Sequence, residues 1–157
     1  MMDYELLYKQ VKGFSEDRDN PVGVLANVSA LIAEASGWMW VGFYIVHGEE
    51  LWVGPFQGPV ACMRIPFGRG VCGTAWKERR TLIVPDVEQF PGHIACSSRS
   101  RSEIVVPIMD NGEVVAVLDI DSERPDTFTP DDARGLEKIC SLLAGTAAAY
   151  LRIVNSD

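Results

Sequence analysis

Ser102-Glu103-Ile104-Val105-Val106-Pro107-Ile108-Met109-Asp110-Asn111-Gly112-Glu113-Val114-Val115-Ala116-Val117-Leu118-Asp119-Ile120-Asp121 decides the reading of the whole chain. Two β-branched runs, Ile104 to Ile108 and Val114 to Ile120, flank Asp110-Asn111-Gly112. Asn-Gly accepts the positive φ angles of a tight hairpin turn, so the stretch predicts an antiparallel pair. A second pair is predicted upstream. There Trp40 to Val46 and Leu51 to Gly54 flank His47-Gly48-Glu49-Glu50, with His47 read as a turn residue. Cys62 to Ile65 and Leu82 to Val84 are shorter strand candidates. The Gly- and Pro-rich stretches GPFQGP, PFGRGVCG and FPGH read as long loops, which in a compact domain tend to carry function.

Outside these hairpins the period becomes helical. Asn20 and Pro21 read as an N-cap and first helical residue. Leu25, Val28, Ile32 and Ala35 follow at helical spacing, and Gly37 closes the segment. At the other end Thr129 caps, Pro130 opens, and Asp131 and Asp132 suit the dipole of a first turn. Leu136, Cys140, Leu143, Ala147 and Tyr150 then form one apolar face of a last helix. Antiparallel hairpins between helical ends predict an α+β fold. Its helices pack on one face of the sheet, and its loops gather over a pocket on the other.

At 157 residues the chain is read as one catalytic-sized domain over 1–157. Hydrophobic residues make up 47%, enough for a core, and the net charge of −8 disfavours nucleic acid and membrane as partners. The start, MMDYELLYKQVKGF, has acidic residues early and lacks a continuous apolar run, so no secretory signal is expected and the location expected is cytoplasmic. In that compartment cysteines are thiols, and a disulfide there is transient or catalytic.

Four cysteines invite chemistry. Cys140 falls on the apolar helical face and reads as a small core hydrophobe. Cys62, Cys72 and Cys96 lie in the loop-rich middle. Ten positions separate the first two and twenty-four the last two, with no C-x-x-C, so no metal site of the usual closely spaced kind is expected. Core packing is the alternative reading for any one of the three, and is harder to hold for three cysteines in glycine-rich loops. Reactivity is favoured at Cys72, in Gly70-Val71-Cys72-Gly73-Thr74, because a thiol near a helix N-terminus has a stabilised thiolate. Arg99 and Arg101 would do the same for Cys96 if they turned inward; otherwise the stretch Ser97 to Ser102 is a solvated loop.

Asp119 and Asp121 are two apart in a strongly apolar strand, so they share one face. Either that strand end is solvated, or a cation such as an ammonium sits between the two charges. Pairing through the Asn-Gly turn can bring Glu103 beside them. His93 precedes Cys96 by three and is given no role. Trp40 alternates with Gly42 and Tyr44, and would wall an apolar substrate chain if that face lines the pocket; Trp52 and Trp76 read as core.

Taken together, these residues resemble the free methionine-(R)-sulfoxide reductases, a branch of the GAF-domain superfamily. The resemblance spans about Trp38 to Leu143. It rests on Trp40-Val41-Gly42-Phe43-Tyr44, Gly54-Pro55-Phe56-Gln57-Gly58, Ala61-Cys62, Gly68-Arg69-Gly70-Val71-Cys72-Gly73, Phe90-Pro91-Gly92-His93-Ile94-Ala95-Cys96, Ser102-Glu103-Ile104 and Leu118-Asp119-Ile120-Asp121. It departs from the family at Arg99 and Arg101, where relatives carry smaller or uncharged residues.

The resemblance implies a GAF-like sheet and an oxidoreductase. In it Cys96 is the nucleophile and becomes a sulfenic acid, Cys62 resolves it as a disulfide, and Cys72 takes part in relaying that disulfide. It further implies that Glu103, Asp119 and Asp121 hold the substrate ammonium and polarise the sulfoxide oxygen, and that Trp40 packs on the methyl-sulfur end. The chemistry suits the residue types. A sulfoxide sulfur resists a thiolate until its oxygen is protonated, and a crowded, buried carboxyl has the raised pKa that an acid at neutral pH needs. Tyr44 is expected on the same wall, and the backbone of Ile94, Ala95 and Cys96 is expected to receive the substrate carboxylate. No bound cofactor is implied; thioredoxin is the implied electron donor, in a homodimer. Two rivals stand beside this reading: a small-molecule-binding GAF sensor without catalysis, and a redox-sensing interaction protein.

Overall fold

The computed structural model describes residues 2–94 and 96–155. Five α-helices and six strands are present there: α1 Tyr4–Ser15, α2 Pro21–Ser36, β1 Trp40–His47, β2 Glu50–Gln57, β3 Arg64–Pro66, α3 Gly70–Glu78, β4 Leu82–Val84, β5 Ser102–Asp110, β6 Glu113–Ser122, α4 Pro130–Cys140 and α5 Ala144–Asn155. The strands form one antiparallel sheet in the order β3-β2-β1-β6-β5-β4. One antiparallel sheet with helices before and after it is of the α+β class expected.

Local chemistry sets the element ends. The Asn20 side chain accepts from the Gly23 N–H, and Gly37 closes α2 in the left-handed region at φ 73°. Thr129 and Asp132 form a reciprocal capping box at the start of α4. At the β5–β6 turn both Asn111 and Gly112 have positive φ, 52° and 80°, as the paired two-residue turn requires. Helix α1, which the helical reading of the chain's start did not single out, is capped by Asp3 and buries Leu7 and Val11.

Four readings are corrected. The last helical segment is two helices: the N–H groups of Leu142 and Leu143 bond back three residues, to Ile139 and Cys140, and the tightened turn breaks the helix after Cys140. Leu143 and Ala147 remain fully buried across the break. Strand β2 runs on through Gly54, Pro55 and Phe56 to Gln57, because Gly42 and Val41 of β1 pair with Phe56 and Gln57. Strand β3 starts at Arg64, which leaves Cys62 in the loop before it. Trp52 is half-buried and sandwiched, its ring 3.6 Å from His47 with the Arg64 guanidinium 4.4 Å away on an exposed part of the sheet.

The sheet separates two apolar clusters. On one side α1, α2, α4 and α5 cover Val41, Phe43, Ile45, Ile104, Val106, Ile108, Ala116, Leu118 and Ile120. On the other, α3 and the long loops cover Trp40, Tyr44, Leu51, Val105 and Val117. Strand alternation does this sorting, sending Leu118 and Ile120 one way and Asp119 and Asp121 the other. Among the described residues no helix is long and apolar enough to cross a membrane.

Candidate active site

The pocket on the loop side is built in rows across three central strands. Trp40 of β1 pairs with Asp121 of β6, which pairs with Glu103 of β5. One row along, Gly42 pairs with Asp119, which pairs with Val105. The Asn-Gly register therefore does bring Glu103 beside the two aspartates. Gly42 has a specific task here: a Cβ at that position would stand 2.7 Å from the Trp40 ring and 2.2 Å from the Phe56 Cβ. Its missing side chain lets the indole lie flat along the pocket, stacked on Phe56 at 5.0 Å and on Tyr44 at 5.9 Å.

The same two aromatics hold the loop that carries Cys62. The indole N–H of Trp40 donates to the Pro59 carbonyl at 3.0 Å, and the Tyr44 hydroxyl donates to the Cys62 carbonyl at 2.9 Å. Cys62 is joined to Cys96 by a disulfide, with 5.3 Å between their Cα atoms. Cys96 sits on the loop before β5, and its backbone N–H is already bonded to the Ile94 carbonyl. Both half-cystines are half-buried; Cys96 lines the pocket, and Cys62 follows Ala61, which also does.

Trp40, Tyr44, Cys72, Ile94, Cys96, Glu103, Asp119 and Asp121 all line this one cavity, joined by His93, Arg69 and Ser100. Ala95 falls outside the described residues. The carboxyls of Glu103, Asp119 and Asp121 are pushed above their ordinary range, first by burial; the negative charge of Asp119 adds to the effect on the other two. Asp119 Oδ1 is buried with no hydrogen-bond partner among the described residues. A buried, unpaired carboxylate oxygen is costly, and it asks for a cation or a donor in the space it faces.

Cys72 reports a correction. It does sit in the first turn of α3, but it is fully buried against Glu103, its Sγ 3.9 Å from Oε2. Burial and then the negative charges of Asp119, Glu103 and Asp121 push its thiol well above the ordinary value. The helix N-terminus does not make it a ready thiolate. Nor do the arginines turn toward Cys96: Arg99 pairs with Glu123 on the exposed surface, and Arg101 is exposed. Cys140 is buried in the helix-side cluster, as its place on an apolar face implied.

One pocket residue escaped the sequence reading, and another was given no role there. Ser100, buried, donates to Asp121 Oδ1 at 2.9 Å and so ties the Cys96 loop to β6. Beside it the Arg101 N–H bonds the Ser122 carbonyl at 2.8 Å. One serine among four in Ser97 to Ser102 carries no local signal; only the return of the loop to β6 distinguishes it. His93 lines the cavity near Asp119, its pKa lowered by burial and partly restored by that charge.

Residues 20–146 match the family model of the GAF domain. The chain is 52% identical over 141 residues to GAF domain-containing protein A of Dictyostelium discoideum, covering 89% of each. It is 45% identical over 148 residues to the free methionine-R-sulfoxide reductase of Saccharomyces cerevisiae, covering 88% of this chain and 82% of that one. The free methionine-R-sulfoxide reductase of Neisseria meningitidis, solved in complex with its substrate, superposes with a TM-score of 0.89 at 47% identity, over 96% of this chain and 91% of that chain. This chain belongs to the free methionine-R-sulfoxide reductase family of GAF domains. Relatedness to a GAF fold alone would leave function open, since that fold hosts many sites. A disulfide beside a carboxylate-floored pocket is what ties this chain to the oxidoreductases of the family.

Proposed function

We propose that this chain reduces free L-methionine-(R)-sulfoxide to methionine with its own cysteine thiols. The observation that carries the reading is the Cys62–Cys96 disulfide at the rim of a pocket floored by Glu103, Asp119 and Asp121. The substrate is a zwitterion whose ammonium meets the aspartates. A buried, orphaned carboxylate oxygen on Asp119 pairs more strongly with a charged ammonium than with a neutral peptide N–H, which favours the free amino acid. The thioether end lies against the Trp40 and Tyr44 rings. The carboxylate of the substrate lies toward Ile94, which lines the cavity.

With the site reduced, Glu103, raised in pKa by burial, delivers a proton to the sulfoxide oxygen with Asp121 beside it. Cys96 attacks the sulfur as a thiolate. Methionine leaves and Cys96 keeps the oxygen as a sulfenic acid. The thiol of Cys62 condenses with it, releasing water and forming the disulfide. Two thiols and one sulfoxide thus become one disulfide, one thioether and one water. Thioredoxin then reduces the disulfide by thiol exchange, with Cys72 as a relay and no bound cofactor. We further read residues 1–157 as one cytoplasmic domain acting as a homodimer in oxidative repair.

The test is a coupled assay with thioredoxin, its reductase and NADPH. Turnover is expected with the free R epimer, and background rates with the S epimer and with a peptide-bound sulfoxide. Background with all three refutes the reading.

A further inference from the structure

Cysteine spacing along the chain offers no metal site, yet the fold assembles one from distant residues. The ligand atoms of Cys72, Glu103 and Asp119 all lie within 4.8 Å of one another, and all three residues are buried. Cys72 Sγ stands 3.9 Å from Glu103 Oε2. Sulfur and oxygen ligands about a tetrahedral zinc, at bond lengths near 2.3 and 2.1 Å, are about 3.6 Å apart. Small side-chain rotations close the difference. An acidic cluster alone would not make a site. Here Asp119, only 6% exposed, also presents an oxygen with no hydrogen-bond partner among the described residues, in the wall of the cavity.

We propose that this trio is a binding site for one borderline-soft divalent cation of the zinc class, and that its occupancy excludes the substrate. The thiol selects such a cation over magnesium or calcium, which take oxygen ligands. Binding displaces the Cys72 proton and the proton held on Glu103 to solvent and forms a thiolate–metal bond, with carboxylate bonds from Glu103 and Asp119 and a fourth position open to water. No electrons are exchanged. The site is available with the Cys62–Cys96 disulfide in place, because Cys72 is a free thiol in that state. Metal and ammonium compete because both take the Asp119 carboxylate as a ligand. The binding half of the proposal stands apart from the reductase reading; the exclusion half rests on it.

The experiment uses the full chain with its disulfide intact. Cadmium chloride is titrated in, and the ultraviolet charge-transfer band of a cadmium–thiolate bond is followed. One equivalent per chain is expected, with the band kept in Cys140→Ser and lost in Cys72→Ser. Asp119→Asn is expected to weaken binding by at least about tenfold, the lower end of what even outer-shell partners of a metal contribute. Free methionine, which brings the same ammonium without turnover, is expected to raise the apparent dissociation constant in proportion to its concentration. That arm needs no variant. No band in the unsubstituted chain, or a band that survives Cys72→Ser, overturns the site. A band that methionine does not displace overturns the exclusion. An enzyme without turnover that still binds cadmium at Cys72 refutes the reductase reading and leaves the metal site standing.

Discussion

The two faces of strand β6 carry opposite chemistries. Leu118 and Ile120 face the helices and are fully buried among aliphatic side chains. Asp119 and Asp121, their immediate neighbours, face a cavity with a thiol, a glutamate and two aromatic rings. One face gains free energy by excluding water from apolar surface. The other holds carboxyls in a place that disfavours their charged forms, and Asp119 keeps an unpartnered oxygen there. The same pair of faces contrasts the two free thiols: Cys140 is inert packing, and Cys72 lies in the chemistry. The difference teaches that a single strand can be stabilising on its even positions and costly on its odd ones. The cost is tolerated where it binds something.

The largest effect expected is on catalysis alone. Cys96→Ser removes the attacking sulfur from a half-buried rim position, and turnover should fall by at least about a thousandfold, as with other nucleophile deletions. Thermal unfolding of the reduced protein should move little. If the variant keeps full turnover, the nucleophile lies elsewhere.

A matched pair on β6 separates the faces. Leu118→Ala should destabilise by about 2–5 kcal/mol, the cost of a core cavity. Asp119→Asn should leave the unfolding midpoint in denaturant equal or higher while raising KM for the free amino acid. Equal stability losses at both positions would erase the distinction between the faces.

The third test uses pH. Burial raises the folded-state pKa of Glu103 above its unfolded value. Its stabilising contribution is therefore complete below the ordinary carboxyl range, near pH 4, and is lost as pH rises through the raised value. Glu103→Gln removes that penalty. The Tm difference, variant minus parent, should be small at low pH and grow more positive as pH increases. Meanwhile the loss of the proton donor should cost about 10²–10⁴ in turnover. A Tm difference that stays flat across pH would mean that Glu103 is not an acid held neutral.

The smallest effect is expected at the surface. Arg99→Ala breaks an exposed pair with Glu123 and should change stability by no more than about 0.5 kcal/mol. Turnover should stay within about threefold. A larger loss would show that this loop senses its arginines after all.

Much of this contrast could be read along the chain, because alternation and turn chemistry are local. Asn111-Gly112 set the β5–β6 register, and that register alone places Glu103 opposite Asp121. The capped starts of α2 and α4 were equally plain from Asn20-Pro21 and Thr129-Pro130. What the chain did not disclose depends on non-local returns. The break after Cys140 is a tightened turn inside an unbroken apolar pattern. Strand β2 passes through Pro55, a residue read as loop, because its pairing with β1 continues to Gln57. Ser100 acquires a role only when its loop folds back on Asp121. Cys72 showed its helix terminus in the sequence, but the three carboxyls that oppose its ionisation come from strands thirty or more residues away. The Cys62–Cys96 pairing followed from family resemblance, and the trio of Cys72, Glu103 and Asp119 came from the fold.

The most direct test is a single turnover without any reductant. Fully reduced protein is mixed with excess free methionine-R-sulfoxide, then alkylated, digested and analysed by mass spectrometry alongside the methionine released. One methionine per chain, together with a Cys62–Cys96 linkage and an alkylated Cys140, is the result this account predicts. Reduced, fully alkylated cysteines with no methionine formed would contradict it.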